Sequence, residues 1–201
     1  MNKRLLSRLM HERVSGLQSS SGYFFHSDFE YMLRGVVFNF VPGGVYIYEF
    51  RFPLFGSVDF LHLSYSDRLS ERAGYIGKGE MSEKEIIDFI MSSPEGRRAL
   101  APFDKLTELP DFVHYLESAA GLSRRVLLRL IHIPALLLLG QESRAAGLLD
   151  DFGKDAEDLL HEREIAYLNL LRASFRQGSA AVRTLLDQIR LENMQKLGLA
   201  P

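Results

Sequence analysis

The chain has 201 residues, 46% of them hydrophobic and 25% charged, which is the composition of a folded globular protein rather than a disordered one. Its net charge of -2 supplies no global basic field for a nucleic-acid backbone or an anionic membrane surface. The absence of cysteine excludes disulfides, thiol catalysis and cysteine-ligated zinc or iron–sulfur sites.

Leu5, Leu6, Leu9, Met10, Val14 and Leu17 recur at helical spacing and predict a docked amphipathic helix at the start. A secretory signal needs an unbroken apolar stretch of roughly 7–15 residues, and Arg8, His11, Glu12 and Arg13 interrupt this one. The first twenty residues are basic, serine-containing and poor in acids, as in a transit peptide, but a docked helix explains them equally. The expected location is cytoplasmic.

Ser19-Ser20-Ser21-Gly22 breaks the helical pattern, and the period then changes to two. Val36, Phe38 and Phe40 alternate with Val37 and Asn39 up to Val41-Pro42-Gly43-Gly44, a hairpin signal. In the run Val45 to Phe52, Tyr46, Tyr48, Phe50 and Phe52 share one face and Glu49 and Arg51 the other. A third strand is expected at Val58 to Tyr65, in a sheet with one face covered by the first helix.

Residues 66–81 read as loop. Ser82-Glu83-Lys84-Glu85 then fits a capping box ahead of the stripe Ile86, Ile87, Phe89, Ile90. Ser93-Pro94-Glu95 starts a second short helix, and Pro110 to Ala120 a third. A longer helix runs from Ser123 to Gly140 with a kink at Pro134. Its apolar run, Leu130 to Leu139, is too short for the roughly 20 residues of a membrane span. Further helices are expected over Gln141–Phe152 and Asp155–Gln177, with Ser179 capping the last one to about Leu197. No segment recurs at a fixed period, so these are helical hairpins without a true repeat. The predicted fold is α+β: an N-terminal helix and a three- to four-stranded antiparallel β-meander, then an all-helical half. The expected boundary separates residues 1–80 from 81–201, with one shared core.

No motif assigns chemistry. Of His11, His26, His62, His114, His132 and His161, no two have the i, i+3 or i+4 spacing of a helical metal pair. His62, in an expected strand, and His132, in an apolar helix, read as hydrogen-bonded structural histidines. Asp151-Phe152-Gly153 matches a kinase triplet in letters only, at an expected helix end. The acids of 150–158 lack the spacing and central glycine of a calcium loop. Gly74-Tyr75-Ile76-Gly77-Lys78-Gly79 holds a lysine that would suit phosphate, but in neither nucleotide-binding order. Arg124 and Arg125 are expected to pair with the acids of 104–117. No cofactor is expected.

Aromatic residues concentrate in 23–65, and Phe24, Phe25, Phe29, Tyr31, Phe55 and Tyr65 are candidates for an exposed partner-binding patch. Residues 81–123 carry 4 Lys and Arg against 8 Asp and Glu, the most acidic stretch of the chain.

The opening helix, Gly22-Tyr23-Phe24-Phe25, the hairpin Val36–Phe40 and Val45–Phe52, and the acidic 80–117 segment together resemble small bacterial polymorphic-toxin immunity proteins. The resemblance covers about half the chain. It implies a non-enzymatic, protein-binding module that occludes a cognate toxin, with no nucleic acid or membrane as partner. Glu83, Asp88, Asp104, Glu108 and Asp111 would match a basic toxin cleft, with Phe55 and Tyr65 as apolar anchors. Two alternatives come from other classes. A helical adaptor, scaffold or chaperone-like protein would expose leucines along one face of 126–175. An enzyme without a recognisable motif would show a deep pocket lined by His62, Tyr46 or Tyr48.

Overall fold

A computed structural model describes residues 1–26, 29–57, 60–69, 74–102, 107–118, 126–152 and 158–199. The chain divides into two compact units, Met1–Phe52 with His62–Asp104, and Pro53–Leu61 with Lys105–Pro201.

The first unit opens with α1 (Lys3–Arg13), capped by Asn2, whose side chain accepts from the Arg4 and Leu5 amides at 3.1 Å each. The expected serine-rich break is instead the centre of a hairpin. β1 (Leu17–Ser20) and β2 (Tyr23–His26) are joined by Ser21 and Gly22 with φ of 50° and 89°. Positive φ at both central residues matches the right-handed twist of the strands, and glycine takes it without strain. β3 (Met32–Val41) and β4 (Gly44–Pro53) form the expected hairpin around Pro42-Gly43. β5 (Ser66–Arg68) and β6 (Tyr75–Gly77) both pair antiparallel with β4. They meet it on either side of Ile47, whose carbonyl accepts from the Leu69 amide while its own N–H donates to Gly74 O.

The sheet thus has six strands in the order β1-β2-β3-β4-β5, with β6 on β4, rather than three or four. Of the strand expected at Val58–Tyr65, the described residues Phe60–Tyr65 form no strand, and Val58 and Asp59 fall outside the described residues. In its place Ser66 Oγ donates to Leu63 O at 2.6 Å and the Ser64 amide to His62 Nδ1 at 3.3 Å. Such local side-chain bonds compete with a ladder, so the alternation of that run is not realised as pairing.

The helix-covered face is the one predicted to be charged. Val45 and Ile47 of β4 join Phe24, Val36 and Phe38 in a core closed by Leu6 and Met10 of α1. α2 (Glu83–Ser92) adds Ile86, Ile87 and Ile90, and α3 (Pro94–Ala99) adds Ala99. The capping box forms as read: the Glu85 amide donates to Ser82 Oγ and the Ser82 amide to Glu85 Oε2 at 2.7 Å. Ser93 caps α3 through the Gly96 amide at 3.0 Å, with Pro94 at the first position. On the opposite face Tyr23, Leu33, Val37, Phe50 and Phe52 are buried as well, so the sheet does not have only one covered face. Tyr23 and Phe50 meet edge to face at 5.0 Å.

The second unit contains α4 (Glu108–Ser118), α5 (Val126–Leu138, with Pro134 inside), α6 (Glu142–Asp150), α7 (Glu162–Gln177) and α8 (Ser179–Leu197). At the α5 end Gly140 takes φ 70°, and the Gln141 amide reaches back to Leu136 O at 2.9 Å. α7 starts at Glu162, where the Glu164 carboxylate accepts from the His161 amide at 2.7 Å; the described residues 158–161 before it are not helical, and the expected start at Asp155 lies outside the described residues. The last helix has Gly178 at its N-cap position, with Ser179 as its first residue. The segment 53–56 is held in this unit by side chains of α7 and α8. Asn193 Nδ2 donates to Leu54 O and Gly56 O at 2.7 Å each, and Tyr167 OH donates to Phe55 O at 2.6 Å. Among the described residues no helix is long and apolar enough to cross a membrane.

Candidate functional site

The residues predicted to meet a partner are divided between the two units. Phe55 and Tyr65 are buried, at 0% and 5% exposure, as are Phe24 and Phe25, while Phe29 and Tyr31 are half-buried, so none of the six stands fully exposed. Phe55 is drawn in by the Tyr167 bond to its carbonyl, and the Tyr65 ring lies 5.8 Å from that of His62. Glu108 is also buried, at 5%. Glu83 is half-buried and accepts from the Asn2 amide at 2.6 Å. Asp88 is exposed and paired with Arg13 at 3.6 Å. Asp111 is exposed in the first turn of α4, and Asp104 lies outside the described residues, as do Arg124 and Arg125. His62 lies in a loop rather than a strand, and burial lowers its pKa.

What the fold does assemble is a groove in the first unit, where α1 crosses the β2–β3 face. The β2–β3 register places Phe24 opposite Val36, and period two carries Phe38 and Phe40 along the same face. The rings form a row: Phe24 to Phe38 edge to face at 5.5 Å, then Phe38 to Phe40 at 6.1 Å. One wall comes from α1, where Lys3 and Ser7 are one turn apart on the same side and Leu6 points into the core. Ser19, Ser21 and Gly22 of the β1–β2 hairpin complete a cavity of about 410 Å³.

A second cavity of about 390 Å³ adjoins it, lined by Met1, Lys3, Phe40, Val41, Pro42, Gly44 and Lys78. Lys78 is brought there by β6, its amide donating to Gly43 O at 2.8 Å. The two cavities share Lys3 and Phe40, and Lys3 Nζ stands 4.6 Å over the Phe40 ring, within cation–π range. Among the described residues neither Lys3 nor Lys78 is ion-paired, and no carboxylate lines either cavity. The lining combines phenyl rings, with Ser7, Ser19 and Ser21 in the first cavity, Lys78 in the second and Lys3 in both. The sequence reading reached Phe38, Phe40 and Lys78 one by one. It had no means of joining Lys3 to Lys78, because that depends on where β6 pairs.

At the groove rim His11 Nε2 lies 3.1 Å from Ser19 Oγ, the spacing of a base and a nucleophile. Both are exposed, and no carboxylate orients the imidazole among the described residues, so the pair lacks the third group that sets tautomer and direction.

In the second unit a cavity of about 260 Å³ is lined by Leu116, Glu117, Leu128, Arg129, His132, Leu148 and Asp151. His132 Nε2 lies 3.3 Å from Glu117 Oε1, and Arg144 also binds that carboxylate. Burial holds the imidazole below its ordinary pKa, with Arg144 adding to the lowering and Glu117 opposing both. The leucines Leu127, Leu159 and Leu170, the sign expected of a helical adaptor, are exposed at 49%, 71% and 51%. They belong to separate elements and line none of the cavities described here, nor do Tyr46, Tyr48 and His62. No group of three or more His, Asp or Glu is arranged to hold a metal ion among the described residues. Comparison with protein-family models, with curated proteins and with solved structures finds no match, so the site rests on its geometry alone.

Proposed function

We propose that this protein is a protein-binding module whose α1/β3 groove takes up an apolar, acid-bearing segment of a partner. One observation carries the reading: the Phe24–Phe38–Phe40 row leads to Lys3 and Lys78, neither of them ion-paired among the described residues. An apolar anchor buried beside a charge-matched rim is how protein interfaces gain both affinity and orientation. The immunity reading is the narrower form, in which the partner is a cognate toxin. Its support is the resemblance over about half the chain and the exposed acids Asp88 and Asp111.

The test is an affinity pull-down of the tagged protein from its native host, beside a Ser7→Trp variant that fills the groove from the half-exposed side of α1. A single near-stoichiometric partner, kept by the wild type and lost by Ser7→Trp, supports the reading. A secreted or nuclease-like partner supports its immunity form. A partner retained equally by both proteins overturns the assignment of the groove.

A further inference from the structure

We infer that the groove reads the C-terminal end of its partner: the last apolar side chain enters the phenylalanine-lined cavity, and the terminal carboxylate lies between Lys3 and Lys78. This deepens the binding reading above and rests on it. The two cavities differ in chemistry and meet at Phe40. One offers the half-buried Phe40 beside the nearly closed rings of Phe24 and Phe38; the other offers Lys78, and Lys3 stands where the two join. A ligand that satisfies both carries an apolar group and an anion close together, and a terminal residue has that form. Ser7, Ser19 and Ser21 line the apolar cavity, the Ser19 hydroxyl lying 3.1 Å from His11 Nε2. They can exchange hydrogen bonds with a peptide backbone and have no use for an alkyl chain, which sets a peptide above a fatty acid carrying the same carboxylate.

The experiment uses the full-length protein and fluorescein-labelled hexapeptide pools with randomised leading positions, ending in Phe, Leu or Val. Each pool is prepared as a free acid and as a C-terminal amide, and binding is read by fluorescence anisotropy, with dodecanoate as a competitor. At least one free-acid pool is expected to bind about tenfold or more tightly than its amide, roughly 1.4 kcal/mol. The difference should vanish in a Lys3→Gln/Lys78→Gln variant and shrink as salt rises. Both lysines are exposed, so that variant should keep the wild-type thermal midpoint. Equal binding of acid and amide, no binding of any pool, or dodecanoate binding more tightly than every pool overturns the inference. If the pools fail while Ser7→Trp still abolishes the pull-down, the groove remains the binding surface and only the terminal carboxylate is rejected.

Discussion

Arg98 grips Glu49 through two nitrogens, Nη2 at 2.7 Å from Oε2 and Nε at 3.3 Å from Oε1, and so ties α3 to the middle of β4. Glu49 has only 3% of its side chain exposed, and Arg51 supplies a further bond to Oε1 at 3.0 Å. Asp67, opposite Glu49 across β4 and β5, balances Arg51 at 3.3 Å. Because Arg51 remains when Arg98 is removed, Arg98→Ala should cost about 1–2 kcal/mol. Glu49→Ala removes the acceptor that both guanidiniums share and should cost more, about 2–3 kcal/mol, since Arg51 keeps Asp67 and Arg98 is half exposed. Urea denaturation of the two variants checks the order; equal losses would contradict it.

The glycines separate close approach from free space. A Cβ on Gly35 would stand 1.8 Å from Phe24 O, which no side chain can relieve because the obstacle is the paired strand. Gly35→Ala should lower stability by at least about 2 kcal/mol. Gly147, inside α6, meets nothing within 4 Å. Gly147→Ala should raise stability by about 0.5–1 kcal/mol through the helix propensity it gains. Thermal melts of the two variants should move in opposite directions.

Asn193 is 2% exposed, and its amide nitrogen closes on two carbonyls of the 53–56 segment. Asn193→Leu strips both acceptors of their donor in a buried place and should cost about 2–4 kcal/mol. Loss of amide protection around Leu54 to Gly56 in hydrogen exchange, beyond that of the rest of the second unit, is the local signature.

The histidines give stability a pH dependence of known sign. Burial lowers the pKa of His132 and of His62 in the folded state, so the unfolded chain takes up protons first as pH falls. Their contribution is complete above the unfolded value of about 6.5 and is lost as pH drops from there through the folded values. Urea midpoints between pH 8 and 5 should fall in that window, and His132→Gln should flatten part of the fall. An unchanged profile in that variant would assign the fall to other groups.

The helices were legible where local chemistry decides them. Ser82 and Glu85 form the expected capping box, Ser93-Pro94 starts α3, and Gly140 ends α5. The β3–β4 hairpin was legible for the same reason: alternation and Pro42-Gly43 are local signals. β1 and β2 were not, because four residues such as Tyr23 to His26, three of them buried in succession, show no alternation. The covered face was misassigned because Glu49 reads as solvent-facing until Arg98, distant in sequence, is known to cover it. The groove depends on three such long-range placements, of α1, of β3 and of β6.

The claim that the groove is the partner surface is tested most directly by placing a photo-crosslinking amino acid at Ser7, in the wild-type chain and in one carrying Phe40→Asp, then irradiating the native host. The account predicts one dominant crosslinked protein from the wild type, lost when Phe40→Asp puts a carboxylate in the groove. No dominant adduct, or the same adduct in equal yield from both chains, would contradict it.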